Sequence, residues 1–220
     1  MNIIDNVWQV GGGGLSDSAD AAVYLISFDD RAALIDAGTG RGHRQVVKNI
    51  TSCLAPGLPV EYLFLTHCHY DHCGGAEALR SRYGCTVVAH EYDARFLESG
   101  NDAVTAAAWY NASLPPLQID YAITAEEETF RLGSGTLRSV HCPGHSPGSV
   151  VYETTIRGTR VLFAQDVHGP LHPALLSDRD EYIRSLTLLL GMQADILCEG
   201  HFGIFRGKDE ISRFIGSYMN

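Results

Sequence analysis

The chain has 220 residues, 45% of them hydrophobic and 19% charged, at a mean hydropathy of -0.04, which is a globular composition able to bury one substantial core over a single domain spanning 1–220. Its 16 Lys and Arg against 26 Asp and Glu leave a net charge of -10, which excludes a phosphate-backbone binder or a polybasic membrane anchor and leaves a small-molecule substrate as the expected partner. Six cysteines at irregular spacings without a C-x-x-C pair, no basic n-region in Met1–Asp5 and no spanning apolar run predict free thiols and a cytoplasmic location.

Along the chain, Val7–Val10 reads as a strand and runs into the glycines Gly11 to Gly14, expected as a loop near the mouth of a site. Ala21–Phe28 and Ala32–Asp36, joined by Asp29-Asp30, form a hairpin pattern. From Arg41 to Leu54 the apolar positions Val46, Val47, Ile50 and Leu54 recur at helical spacing. Val60–Thr66 is a short buried strand, Ala76–Arg82 a helix and Thr86–His90 a strand, the order that parallel α/β layers produce. Glu91–Ala112 is predicted helical up to the break at Leu114-Pro115-Pro116, and Glu126-Glu127-Glu128 a solvated turn. The second half repeats the theme with strands Thr136–Val140, Ser149–Glu153, Val161–Ala164 and Asp195–Cys198. A helix at Asp178–Leu190, capped by Ser177 or Asp178, and a last helix at Lys208–Ser217 complete it.

The chemistry concentrates in His67-Cys68-His69-Tyr70-Asp71-His72-Cys73-Gly74-Gly75, which places three imidazoles and a carboxylate directly after a buried strand. At a strand end alternate side chains share a direction, so His67 and His69 can point together, while Asp71 and His72 turn towards a neighbouring point. Neutral imidazoles and carboxylates are the ordinary ligands of borderline first-row metals.

This segment resembles the metal loop of the metallo-β-lactamase fold superfamily, and the chain is similar to its short, glyoxalase II-like metallo-hydrolases. Three later motifs extend the resemblance: His145 in Pro143-Gly144-His145-Ser146-Pro147-Gly148-Ser149, Asp166 at the end of the strand Val161 to Gln165, and His201 in Glu199-Gly200-His201-Phe202-Gly203. Asp36, in Leu34-Ile35-Asp36-Ala37-Gly38, resembles the family's early aspartate behind the metal loop. The resemblance implies a four-layer αββα sandwich carrying two divalent metal ions, zinc in the first place with iron or manganese as alternatives. His67, His69 and His145 would hold one ion, Asp71, His72 and His201 the other, with Asp166 bridging. It further implies a dinuclear hydrolase of a small ester, thioester or lactone acting through a metal-bound hydroxide, with Asp71 as the catalytic residue that steers a proton.

Departures from the pattern narrow that expectation. Enzymes of this fold that open β-lactams commonly carry Cys where Asp166 stands, so Asp166 disfavours antibiotic hydrolysis. Glyoxalase II proper adds a helical domain after the sandwich, whereas 54 residues follow Asp166 here. The competing readings are a mononuclear iron persulfide dioxygenase using His67, His145 and Asp166, and a non-catalytic binding protein on the same fold. A homodimer is an open alternative to a monomer. Cys68, Cys73, Cys142 and Cys198 are expected in packing and His141 at a strand end, none of them as ligands. His168 and His172 stand close behind Asp166, either in the substrate pocket or outside it.

Overall fold

Strands buried on both faces set the architecture, because apolar side chains at successive positions must find two different cores. The computed structural model describes residues 1–219 and contains two β-sheets. In the first, β1 (Asn2–Ile4), β2 (Val7–Gly11), β3 (Val23–Phe28), β4 (Arg31–Ile35), β5 (Val60–Phe64), β6 (Thr86–His90) and β7 (Tyr121–Ile123) lie in chain order. Pairing is antiparallel from β1 to β4 and parallel from β4 to β7. The second sheet has the order β13-β12-β11-β10-β9-β8, built from β8 (Glu127–Leu132), β9 (Gly135–His141), β10 (Val150–Ile156), β11 (Thr159–Phe163), β12 (Ile196–Cys198) and β13 (Ile204–Arg206). Only its β11–β12 pair is parallel.

The period of two sorts residues cleanly between layers. On β3, Tyr24 and Ile26 enter the core between the sheets while Val23 and Leu25 face the outer layer. On β11, Val161 and Phe163 face inward and Leu162 outward. Helices α1 (His43–Cys53), α3 (Ala76–Tyr83) and α4 (Glu91–Ser99) cover the first sheet through Val46, Ile50, Leu79 and Leu97. Helices α5 (Arg179–Met192) and α6 (Lys208–Gly216) cover the second through Leu186, Leu189, Ile211 and Ile215. The result is the expected helix, sheet, sheet, helix sandwich. Two phenols cross between the sheets: Tyr24 donates to the Glu199 carbonyl at 2.7 Å and Tyr152 to the Leu65 carbonyl at 2.9 Å, both beside the ligand-bearing loops.

Three local expectations are corrected. The predicted helix over Glu91–Ala112 ends at Ser99, because Gly100 adopts a left-handed cap; the Ala run falls instead in a short 3₁₀ turn, Ala107–Tyr110. Thr105 meanwhile offers its carbonyl to Tyr70 N at 2.7 Å, pinning this segment to the short helix α2 (Tyr70–Cys73). Glu127 and Glu128 open β8 rather than forming a turn, since Arg138 on β9 pairs with Glu127 at 2.8 Å and Tyr121 donates to Glu128. The glycine run lies outside the cavity described below: Gly11 packs on Val23 and Val46, and Gly12 N bonds Ser16. It is the following residues that meet the ligand loops, Ala21 N donating to the Asp71 carbonyl and Ala22 N to that of Gly200. The helix α5 starts as predicted, with Asp178 accepting from Glu181 N at 2.9 Å.

Candidate metal centre

The loop after β5 is held from below by Asp36, which sits just past β4 at φ +61°. Its two carboxylate oxygens accept from Thr66 N and Thr66 Oγ1, each at 2.8 Å, and from His72 Nδ1 at 2.7 Å. Nδ1 of His72 therefore carries a proton, and Nε2 is turned towards the cavity. The early aspartate thus stands where the sequence resemblance put it.

Two donor sets hold the expected ligands, and a third group, Asp166 with His168 and Glu199, adjoins them. His67, His69 and His145 converge with ring centroids 4.5 to 4.8 Å apart, each ring buried. Asp71, His72, Asp166 and His201 form the second set. Asp166 touches both: Oδ1 is 3.0 Å from His72 Nε2, while Oδ2 is 3.4 Å from His201 Nε2 and 3.6 Å from His145 Nε2. All seven residues expected as ligands are therefore brought together.

The donor chemistry fits divalent ions. Nε2 of His67, His69 and His145 is buried without a hydrogen-bond partner, while His72 Nε2 faces Asp166 Oδ1 at 3.0 Å. Each such orphan costs about 1–3 kcal/mol, and three lone pairs converging at one place suit a cation. The outer nitrogens are engaged, as in ligating histidines: His145 Nδ1 donates to the Pro170 carbonyl at 3.1 Å, and His67 Nδ1 lies 3.0 Å from the Thr66 hydroxyl. Gly200, just before His201, has to be glycine for space, since a Cβ there would lie 2.2 Å from Asp166 Oδ1.

Electrostatics separate the sets. Burial, then neighbouring imidazoles, holds His67 well below the usual histidine range, and burial pushes His145 down to about 4. Burial also works to lower His72, but the carboxylates of Asp166, Asp36 and Asp71 outweigh it and raise the group well above its ordinary value. His201 likewise rises to about 10, because hydrogen bonds to Asp166 and Asp71 overcome partial burial. Burial alone would raise Asp166 and Asp71; the charge of His72 and the hydrogen bond from His201 bring both below the ordinary carboxylate range.

A cavity of about 230 Å³ opens over these donors, lined by His69, Asp71, Asp166 and His201 together with Trp109, Tyr110, Pro170 and Leu175. Trp109 and Tyr110 come from the 3₁₀ turn that replaces the end of the expected helix, and Pro170 and Leu175 from the segment after Asp166, so the lining draws on the two loops, Asn101–Pro116 and Val167–Pro173, that the sequence offers for reading a substrate. Burial, then the charge of Asp71, pushes the Tyr110 phenol upward. His168 lines this cavity; His172 does not, resting edge-on against Trp109 at 5.4 Å. His141 stacks on His90 at 3.9 Å, away from the donors. Cys68, Cys73, Cys142 and Cys198 are buried free thiols and belong to neither donor set.

Asp93 is a residue the sequence did not reveal. Wholly buried in the first turn of α4, it accepts from Cys68 N at 2.9 Å, Ser146 Oγ at 2.6 Å and Gly148 N at 2.7 Å. It ties the loop carrying His67 and His69 to the loop carrying His145. An acidic residue in a first helical turn is ordinary dipole chemistry, so nothing local marks it.

Comparisons with known proteins agree with this geometry. The family model described as the Metallo-beta-lactamase superfamily matches residues 19–201, spanning every donor described above. Among curated proteins, the chain is 28% identical over 197 residues to the probable metallo-hydrolase YqgX of Bacillus subtilis, covering 81% of this chain and 89% of that one. It is 30% identical over 188 residues to a hydroxyacylglutathione hydrolase of Ruegeria pomeroyi, covering 83% of this chain and 63% of the relative. Among solved structures, a metallo-beta-lactamase from Cronobacter sakazakii superposes with a TM-score of 0.80 at 23% identity, over 99% of this chain and 92% of that one, a likeness of fold.

Proposed function

We propose, for a chain that belongs to the metallo-beta-lactamase superfamily, a dinuclear metal-dependent hydrolase of small, uncharged esters, thioesters or lactones. The observation that carries it is the meeting of two buried donor sets at Asp166, beneath a cavity with one apolar wall. His67, His69 and His145 would hold one ion and Asp71, His72 and His201 the other, with Asp166 between them. Ions bound there, zinc first and iron or manganese otherwise, supply Lewis acidity and bring the pKa of water down to about 7.

The chain's own residues do the rest. Trp109, Tyr110, Pro170 and Leu175 receive the apolar part of a substrate and exclude water from one side of the cavity. Asp71, kept ionised by His72 and His201, is placed to take and return a proton at its carboxylate. No Lys or Arg is among the described cavity-lining residues, so no basic side chain in the lining selects an anionic group. Arg41 stands at the rim with its guanidinium on the Tyr110 carbonyl. The similarity to a hydroxyacylglutathione hydrolase supports acyl-transfer chemistry to water. The convergence of Asp71, His72 and His201 on Asp166 supports two ions over the single iron of a persulfide dioxygenase.

Elemental analysis of natively purified protein, followed by a panel of neutral esters, thioesters and lactones, tests the proposal. About two zinc, iron or manganese ions per chain with turnover of at least one class is the expected result. One iron per chain with oxygen uptake on glutathione persulfide would replace it by the oxygenase reading, and metal without any turnover by a binding function.

A further inference from the structure

We propose that His168, oriented by Glu199, is the hydrogen-bond acceptor that reads an O–H or N–H group on an uncharged substrate; the inference rests on the hydrolase reading of the same cavity. Glu199 lies directly after β12 and is wholly buried. Its Oε2 accepts from His201 N at 2.6 Å and Phe202 N at 2.7 Å, while its Oε1 faces His168 Nδ1 at 2.9 Å. Its own carbonyl is fixed by the Tyr24 hydroxyl. Two backbone N–H groups can only donate, so this carboxylate stands as an acceptor, and His168 Nδ1 is the atom that carries the proton.

In the neutral ring the lone pair then belongs to Nε2. Among the described residues nothing hydrogen-bonds that nitrogen, and His168 lines the cavity together with Trp109 and Leu175. The ring is held in place by an edge contact with His201 at 5.2 Å and a tilted contact with Phe202 at 4.8 Å between centroids. Of the other polar groups lining the cavity, Asp71 and Asp166 lie against His201 and His72, the Tyr110 phenol against Asp71, and His69 belongs to the donor set, while the Trp109 indole N–H can only donate. A substrate that carries a donor beside its carbonyl and an apolar face for the Trp109 wall satisfies both sides of the cavity at once. The chemical class is an acyl compound with a hydroxyl or amide N–H near the bond to be cleaved.

N,N-Dimethylmandelamide and N,N-dimethylphenylacetamide, unreactive, uncharged and without an amide N–H, differ by one hydroxyl and separate binding from turnover. Calorimetry on the zinc-loaded enzyme is expected to show the hydroxyamide bound about three- to tenfold tighter, the scale of one neutral hydrogen bond. His168→Ala abolishes that preference with its zinc content retained. Glu199→Gln abolishes it too, because an amide nitrogen facing Nδ1 moves the ring proton to Nε2. Nitrogen-15 NMR of His168 reports the protonated nitrogen directly, Nδ1 in the wild type and Nε2 in Glu199→Gln. Equal affinities in the wild type, no binding of either amide, or a wild-type ring protonated at Nε2 would overturn the inference. The thioesters of the two acids with N-acetylcysteamine read the other question. Amide preference without thioester turnover leaves the inference standing and removes the hydrolase; turnover with equal KM for both thioesters does the reverse.

Discussion

The two donor sets reach one cavity by opposite electrostatic means. His67, His69 and His145 are kept neutral by burial, and the partners of His67 and His145, the Thr66 hydroxyl and the Pro170 carbonyl, are uncharged. His72 and His201 are surrounded by Asp36, Asp71 and Asp166 and hold protons against those carboxylates. The first set is ready to ligate as it stands. The second has to exchange protons for an ion, so without metal it remains a closed ion-pair network while the first keeps bare lone pairs. A single protein thus contains one preorganised site and one proton-occupied site, joined by Asp166.

The largest effect comes from removing the joint. Asp166→Ala takes a carboxylate from both sets and leaves His72 and His201 with one fewer counter-charge each. Bound metal is expected to fall from about two ions per chain towards one, and turnover by on the order of 10³-fold, beyond what loss of an outer partner causes. Unchanged metal content by elemental analysis would show that Asp166 joins nothing. His201→Ala tests the separation more gently. This residue is the most exposed of the seven and belongs only to the second set, so one ion should bind with wild-type affinity and the other at least about tenfold more weakly. Equal weakening of both ions in a zinc titration would mean the sets are not distinct.

The same contrast extends to the carboxylates behind the loops. Asp36 serves the second set through His72, and Asp93 serves the first by binding Cys68, Ser146 and Gly148. Asp36→Asn should therefore weaken the second ion by about 10- to 100-fold. Asp93→Ala should weaken the first, and it should also cost about 3 kcal/mol of stability in urea unfolding, because three buried donors lose their acceptor. The two variants striking the same ion would contradict this division of labour.

Much of this was legible beforehand, for reasons specific to each residue. His67, His69, Asp71 and His72 stand out because polar ligands crowd a short stretch directly after an apolar strand. His145, Asp166 and His201 have no such local signature and were identified only through the family resemblance. Asp93 was unreadable, since its meaning lies in two loops brought to it from residues 68 and 146–148. The helix was carried too far, to Ala112, because Ala106–Ala108 carries helical propensity that Gly100 and the Tyr70–Thr105 bond override. The edge strands β1, β7 and β13 have three residues each, too few for a period to show.

A smaller test lies outside the donors and asks whether burial alone, without carboxylates, suppresses an imidazole's charge as it does in the first set. His90 ends β6 and His141 ends β9; their rings are stacked at 3.9 Å and within 7° of parallel, joining the two sheets. Burial, then the neighbouring His141, pushes His90 down to about 4 from an ordinary 6.5. His141 is held by the Pro147 carbonyl, with Glu126 3.7 Å from its other nitrogen. Above pH 6.5 neither the folded nor the unfolded chain protonates His90, and the group adds no pH dependence. Between 6.5 and 4 the unfolded chain binds the proton and the folded chain does not, so stability declines as pH falls through that window. Discounted for relaxation around the ring, the shift leaves about 1–2 kcal/mol at its acid end. His90→Gln removes the proton site, so urea midpoints of variant and wild type should converge as pH drops from 7 to 4.5. A constant gap across that range would mean that the stacked pair takes up its proton in the folded state, and that burial suppresses charge only inside the donor set.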